Sequence, residues 1–299
     1  MFVYCTGKTL FTILFGLSSR TKKLYLCIAS ILNKRPKKRI TQHHRVTTMK
    51  LNIQSALPDQ SVSHFVHSFW MLENKTGKDI LSTILPNGMV DMTLMKTNPG
   101  DWEMYVRGID TEPSQVVIEK GTKIFTIGLK LLAVEYLLGD SIKDVLNAGR
   151  IFTNDSWQFE ERSLSSLENF CNTATEKIKS ISTGNIDDRK KKLFELIYAS
   201  NGSMHVTALS EQVFWSSRQI NRYFNQQFGI SLKAYCSVLR LGASFKHISE
   251  GRLFPEQNFT DQNHFIKEIK KYAGVTPKEL SKNKDDRFID ITAIKTFPS

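Results

Sequence analysis

The chain has 299 residues, 40% of them hydrophobic and 23% charged, an ordinary globular composition long enough for two modest domains. Its four cysteines, Cys5, Cys27, Cys171 and Cys236, show no C-x-x-C and no paired spacing. That argues against a zinc finger or a disulfide framework and fits a reducing compartment. The formal net charge of +12 has the look of a nucleic-acid signature until it is divided along the chain.

Residues 1–48 hold ten Lys and Arg and no Asp or Glu, whereas residues 49–203 hold seventeen basic and twenty acidic residues. Residues 204–287 then hold thirteen basic and eight acidic ones. The overall charge is therefore mostly a property of the N-terminal stretch, and the informative contrast is a slightly acidic middle against a basic C-terminal module.

Within residues 1–48 lie two apolar runs, Leu10–Leu17 and Leu24–Leu32. Each is far shorter than the roughly 20 residues that a membrane-spanning helix requires. No small-residue cleavage site stands in an obvious place, so a secretory signal is a poor match. Lys34–Arg39 (KRPKKR) has the composition of a nucleic-acid or nuclear-address tract, and the acid-free leader resembles a transit peptide. Met49 opens a segment of different composition, and residues 1–48 read as a basic extension, an over-extended start outside the fold.

Residues 49–160 read as a β-rich, sensor-like domain of short runs broken by turn residues. Ser63–Leu72 is aromatic and apolar, and Ile80–Leu85 leads into Pro86-Asn87-Gly88, a strong turn signal. Val90, Met92 and Leu94 alternate as on a half-buried strand, and Gly100, Gly108 and Gly121 punctuate further short segments. The pattern predicts an antiparallel barrel or sandwich, with helical turns at Ala133–Leu138 and Ser141–Leu146. His64 and His67, with Asp59 and Glu73 nearby, are weak metal candidates. A metal-binding cupin needs a later histidine, and the next one is His205. No G-x-S-x-G, H-E-x-x-H, P-loop or G-x-G-x-x-G occurs. No enzyme activity, cofactor or metal is expected.

Residues 161–186 read as a helix and linker. Leu164, Leu167, Phe170, Cys171, Ala174, Ile178 and Ile181 form one apolar stripe, suited either to packing on the barrel or to a homodimer interface. A further helix is expected at 187–199, a short one at Thr207–Val213, and then a turn through Phe214-Trp215 to the N-cap Ser216. The helix Ser217–Gln227 buries Ile220, Tyr223 and Phe224, with Phe228 just beyond it, and projects Ser217, Arg218, Gln219, Asn221 and Arg222. Arg can pair with guanine, and Asn or Gln with adenine, in the major groove. A long helix, Ser231–Ile248, follows.

The next stretch, Asn258-Phe259-Thr260-Asp261-Gln262-Asn263-His264-Phe265 through Gly274-Val275-Thr276-Pro277, resembles the second helix-turn-helix of AraC/XylS-type regulators, with its G-F-x-D-x-x-H-F-x-x-x-F-K-x-x-x-G-x-x-P pattern. Leu209–Gly229 is similar to the first. The resemblance covers about 85 residues at the C-terminus, and the S-F-W…L-P-N-G arrangement of the middle domain looks like the cupin-like sensors that precede such modules in some bacteria.

The resemblance implies an α+β chain: an N-terminal β-rich, cupin-like domain followed by an all-α double helix-turn-helix domain at 187–287, with a tail at 288–299. It also implies a cytoplasmic transcription regulator whose partners are double-stranded DNA, an effector or protein partner, and in some cases a second copy. Carried over by position, the DNA-binding candidates are Ser217, Arg218, Gln219, Asn221 and Arg222 in the first unit. In the second they are Gln262, Asn263, Lys267, Lys270 and Lys271. Phe265 reads as core and His264 as structural. The second unit departs from the pattern: 251–259 is about three residues short of the usual supporting helix, and Pro255 disfavours one. A rival reading is therefore a weak or non-specific DNA binder, or an interaction protein, with a degenerate second unit. A cupin enzyme, the third reading, requires a bound metal. A chain starting at Met49 is expected to fold and bind DNA as the full chain does, checked by circular dichroism and a DNA-binding titration; lost binding would make the basic extension functional.

Overall fold

The structure, a computed structural model, describes residues 51–98, 101–182, 184–257, 259–284 and 287–297. The readings made on residues 1–48 lie outside the described residues. An N-terminal β-rich, cupin-like domain is followed by a helical domain, as the α+β reading expects. Eight strands form the first part: β1 (Asn52–Ala56), β2 (Val66–Glu73), β3 (Ile80–Ile84), β4 (Val90–Asn98), β5 (Asp101–Arg107), β6 (Ser114–Ile118), β7 (Lys123–Leu129) and β8 (Gly149–Ile151). Six make an antiparallel sheet in the order β1-β2-β7-β4-β5-β8, and β3 pairs with β6 in a separate ribbon.

The period-two alternation of the strands gives the large sheet two different faces. On β4, Val90, Met92 and Leu94 point into the core, as their spacing predicts, while Asp91 and Thr93 face the other way. The core face is covered by α1 (Leu167–Ile181), whose N-cap Ser166 accepts a hydrogen bond from the amide of Asn169 at 3.2 Å. The helix buries Leu167, Phe170, Ala174 and Ile178, and the Phe170 ring lies 5.1 Å from Phe125 and 6.0 Å from Phe69. The apolar stripe thus has a partner within its own chain. The opposite face lines a cavity of about 1980 Å³, whose other walls come from β3, β6 and two helices of the C-terminal part.

The C-terminal part comprises α2 (Asp188–Ala199), α3 (Val206–Val213), α4 (Ser217–Phe228), α5 (Leu232–Ser249), α6 (Gln262–Ala273), α7 (Pro277–Lys282) and α8 (Ile289–Ile294), of which α5 and α8 wall the cavity. Ala133–Leu138 and Ser141–Leu146, both expected to be helical, hold only a π-helical turn at Val134–Leu138 and a 3-10 turn at Lys143–Val145. The last segment, read from sequence as a tail, contains α8. This helix buries Ile289 and Ile291 and packs against β1, β3 and α5.

The two parts share one core. Buried side chains run without a break from the sheet (Phe69, Met92, Phe125) through α2 (Phe194) to α4 and α5 (Phe224, Tyr235). A second core, built on Phe245, Phe265, Ile269 and Leu280, holds the distal helices. The junction is tightest at the Pro86-Asn87-Gly88 turn. Tyr235, fully buried on α5, donates its hydroxyl hydrogen to the Gly88 carbonyl at 3.1 Å and shares a 2.9 Å hydrogen bond with the hydroxyl of Tyr198 on α2. The Tyr198 hydroxyl accepts in turn from the amide of Leu131, at the exit of β7. From α8, the Asp290 carboxylate accepts from the Leu85 amide at 2.7 Å and from Asn87 Nδ2 at 3.0 Å.

Gly242 lets α5 sit this close. A Cβ at that position would stand 2.7 Å from the Asn87 carbonyl oxygen and 3.0 Å from its Cα, inside contact distance to backbone that cannot swing away. Gly242→Ala should therefore lower the stability of the whole chain, although alanine favours a helix interior over glycine by about 1 kcal/mol. The overpacking cost of about 1–3 kcal/mol is expected to exceed that gain, and a fall in the thermal midpoint checks it. An unchanged or raised midpoint would show that the turn yields.

Candidate nucleic-acid interface

The first helix-turn-helix is written locally in the sequence. Leu209 and Val213 anchor α3, which ends on Phe214 in the left-handed region (φ 53°). Ser216 then opens α4 with a reciprocal cap: its hydroxyl accepts from the Gln219 amide at 3.3 Å, and Gln219 Oε1 accepts from the Ser216 amide at 2.9 Å. Ile220, Phe224 and Phe228, one face of the helix at spacings of four, are fully buried; the Phe224 ring lies 6.0 Å from Phe194 of α2. Gly229, at φ 70°, ends the helix.

The other side of α4 faces solvent. Arg218 and Arg222, four residues apart, are exposed and project side by side. The remaining candidates are partly engaged by the helix itself. Asn221 and Ser217 are half-buried, with Asn221 Nδ2 donating to the Ser217 carbonyl at 2.9 Å, and the Gln219 side chain is held in the cap. The structure thus brings all five together on one helix and leaves the two arginines freest.

The second unit has the same plan with a different support. Asp261 caps α6 by accepting from the His264 amide at 2.8 Å, and Phe265 and Ile269 are fully buried. Asn263, Lys267, Lys270 and Lys271 are all exposed at spacings of four, three and one, and form a basic row. Lys271 also lies near Tyr272, with Nζ 3.3 Å from the hydroxyl. Gln262 is placed differently: it turns back to donate from Nε2 to the Leu253 carbonyl at 2.9 Å, and its Oε1 is buried without a partner among the described residues. In this position it supports the preceding loop and does not join the exposed row.

That loop stands where a supporting helix would lie. No helix occurs between α5 and α6 among the described residues. The segment is fastened by Arg252, paired with Glu250 and Glu256, by an Asn201 to Gln257 side-chain hydrogen bond of 3.1 Å, and by the amide of Arg252 donating to the His247 carbonyl at 2.9 Å. His264, although exposed, is engaged locally: its Nδ1 accepts from the Thr260 amide at 3.3 Å, and its ring meets Phe259 edge-on at 5.8 Å.

The sheet domain holds α4 from its C-terminal end. The Ser141 hydroxyl donates to the carbonyl oxygens of Gln226 and Gln227 (2.9 and 3.0 Å), and the Ile142 amide donates to that of Gln227 at 2.9 Å. Carbonyls that a helix end leaves without partners are satisfied here by another domain. Farther along, Glu135 accepts from the Tyr223 hydroxyl at 3.0 Å and pairs with Lys190 of α2. Burial, with Glu135 adding to it, holds the Tyr223 hydroxyl far above its usual range.

Residues 54–149 match the family model described as a domain of unknown function, DUF6597. No match was found among curated proteins. The chain is also similar to solved structures of low identity. The C-terminal domain of the two-component response regulator YesN from Fusobacterium nucleatum is 24% identical, covering 32% of this chain and 99% of that one, with a TM-score of 0.28. ToxT from Vibrio cholerae O395 is 10% identical over 79% of this chain and 98% of that one, with a TM-score of 0.37. Unsaturated fatty acid-bound ToxT from Vibrio cholerae strain SCE256 is 12% identical over 80% and 96%, with a TM-score of 0.34.

Among the described residues no group of three or more His, Cys, Asp and Glu could hold a metal, and no helix is long and apolar enough to cross a membrane. Burial pushes His67 down to about 4, and its ring Nδ1 lies 3.2 Å from the Ser68 hydroxyl. Sequence reasoning missed Ser141 and Glu135, whose roles depend on contacts across more than eighty residues, and it placed Gln262 in a row from which the fold withdraws it. Two alanine variants separate the neighbours. Gln262→Ala should lower the thermal midpoint, corresponding to about 1–2 kcal/mol for a lost part-buried hydrogen bond, while Asn263→Ala should leave it within error. Equal midpoints would return Gln262 to the exposed row.

Proposed function

We propose that this chain is a sequence-specific DNA-binding transcriptional regulator of the AraC type, with residues 187–287 contacting DNA and residues 49–160 sensing an effector or partner. The observation that carries the reading is α4. Its inner face is locked by buried aromatics while Arg218 and Arg222 stand exposed behind a full N-terminal cap. A rigid helix with a free arginine row is what major-groove readout requires, because the planar guanidinium pairs with guanine in two places at once.

The second unit supports a more modest role. Lys267, Lys270 and Lys271 suit phosphate contacts, which position the protein without reading sequence, and Asn263 is its remaining candidate for a base contact. This follows from Gln262 being held inward and from the loop that replaces a supporting helix. A weak or non-specific binder is the second reading, favoured by that same loop. Effector control has a physical route in this reading: the sheet domain caps α4 through Ser141 and Ile142, so a change in the sheet domain moves or releases the reading helix. The burial of the α1 stripe within the chain favours assigning residues 161–186 to intrachain packing, and any dimer would use another surface.

Sites selected from random DNA provide the substrate for the test. Arg222→Ala should weaken binding to the selected site by about 1–3 kcal/mol and barely change binding to unrelated DNA. Lys267→Ala should weaken both equally and flatten the salt dependence. If Arg222→Ala costs the same on every sequence, that residue is a phosphate contact, and if no sequence is enriched at all, the second reading stands.

A further inference from the structure

The cavity behind the sheet has a charge imbalance that the rest of the fold does not explain. On its sheet wall, Asp91, Thr93 and Tyr105 point inward beside Trp70 and Ile124, while Asp290 and Ala293 of α8, with Phe297 just beyond the helix, line it from across the space. The walls are thus mostly apolar and aromatic, the usual character of a small-molecule site. The basic groups around the rim are already committed. Arg107 makes two 2.7 Å bonds to Asp110, Lys96 pairs with Glu161, Arg150 with Asp140 and Asp144, and Lys130 donates to the Ser63 carbonyl.

Asp91 has no such partner. Among the described residues no group lies within hydrogen-bond or ion-pair reach of its carboxylate, although Arg107 is its cross-strand neighbour. Two carboxylates, Asp91 and Asp110, therefore share the Arg107 guanidinium, and Asp290 adds a third negative group nearby. Burial, then Asp290 and Asp110, push Asp91 up to about 7, against the pull of Arg107; burial pushes Asp290 up to about 6 even though it accepts two hydrogen bonds. A partly buried carboxylate without a counter-ion is costly, and a cation in the cavity relieves that cost.

The space beside that carboxylate is also kept open. Gly128 lies across the strand pair from Asp91; a Cβ there would come within 3.8 Å of Asp91 Oδ1 and 3.0 Å of Ser68 Oγ. Strand β7 is otherwise built of larger residues, and glycine within a strand often marks a place where something approaches closely.

We propose that this cavity binds an organic cation with an apolar body, its charged group paired with Asp91 and its body lying along Trp70, Ile124 and the inner side of α8. An apolar acid of the same shape meets unshielded carboxylates and is excluded. The proposal rests on reading the sheet domain as the effector sensor, and it names the chemistry of that effector. Because Asp290 on α8 is fastened to the Pro86-Asn87-Gly88 turn, a cation here also draws together the two elements that join the domains.

The test uses the full chain and two matched trios: 2-phenylethylamine, 2-phenylethanol and phenylacetate, then octylamine, octanol and octanoate. Calorimetry without DNA, supported by tryptophan fluorescence, should show at least one amine binding about tenfold or more tighter than its alcohol and acid. Asp91→Asn should erase that preference and Asp91→Glu should keep most of it. Gly128→Ala, which retains the charge and fills the space, should weaken amine binding while circular dichroism stays unchanged. Acids or alcohols binding as well as amines, no amine binding, or an Asp91→Asn chain that folds and keeps its preference would each overturn the proposal. Amine binding that leaves DNA affinity unchanged would keep the site and remove its effector role. Loss of DNA binding by the unliganded chain would count against the regulator reading alone.

Discussion

The close approach of helix α5 to the Pro86-Asn87-Gly88 turn is the constraint on which the arrangement of this molecule depends. Gly242 sets the distance, Tyr235 and Asp290 fix the direction, and the turn gives each of them a backbone or amide group to hold. A turn of proline, asparagine and glycine is ordinarily a surface feature that reverses the chain. Here it is a socket. Its Gly88 carbonyl and Leu85 amide are groups that burial would make costly if unpaired, and they are satisfied only when the helical part is docked. The sheet domain and the helical part therefore complete each other's hydrogen bonding as well as each other's core.

This continuity bears on how a signal would travel. A regulator with separate, loosely tethered domains transmits by releasing one from the other. In this chain α4 is packed into the same core as the sheet and its last carbonyls are capped by Ser141 and Ile142. A shift of the sheet domain must either carry α4 with it or break those caps. The distal unit is different: its core is separate, and α8 returns from it to the sheet. Helix α4 is thus joined directly to the sheet domain, while α6 reaches it through α5, α8 and Leu85 in the distal core.

What the sequence disclosed follows the range of the interactions involved. The cap at Ser216, the stripe Ile220, Phe224 and Phe228, the stop at Gly229 and the alternation on β4 are all decided within a turn or two of chain, and each could be read directly. The inward turn of Gln262 depends on a carbonyl nine residues away in a loop of irregular shape, so its motif position alone suggested a reading role. Helix α8 was missed for a related reason. Its apolar residues, Ile289, Ile291 and Ile294, are too few to mark a helix until β1, β3 and α5 are there to receive them. The proximity of Asp91 to Asp290 is of the same kind: nothing local joins two residues 199 positions apart.

The difference between the two helix-turn-helix units is a physical one. The first has α4 backed by a complete α3, aromatics from α2 and a cap from the sheet domain, so Arg218 and Arg222 project from a rigid base. The second rests on a loop held by the part-buried Gln262 and Gln257 hydrogen bonds and by the exposed ion pairs of Arg252, which contribute little rigidity. Bases are discriminated only by donors held to within a fraction of an ångström, whereas phosphate charge is felt over several ångströms and tolerates looser placement. Under the proposed DNA-binding reading, the rigid unit is the one suited to read sequence, and the looser one, with its row of lysines, to hold the duplex in place.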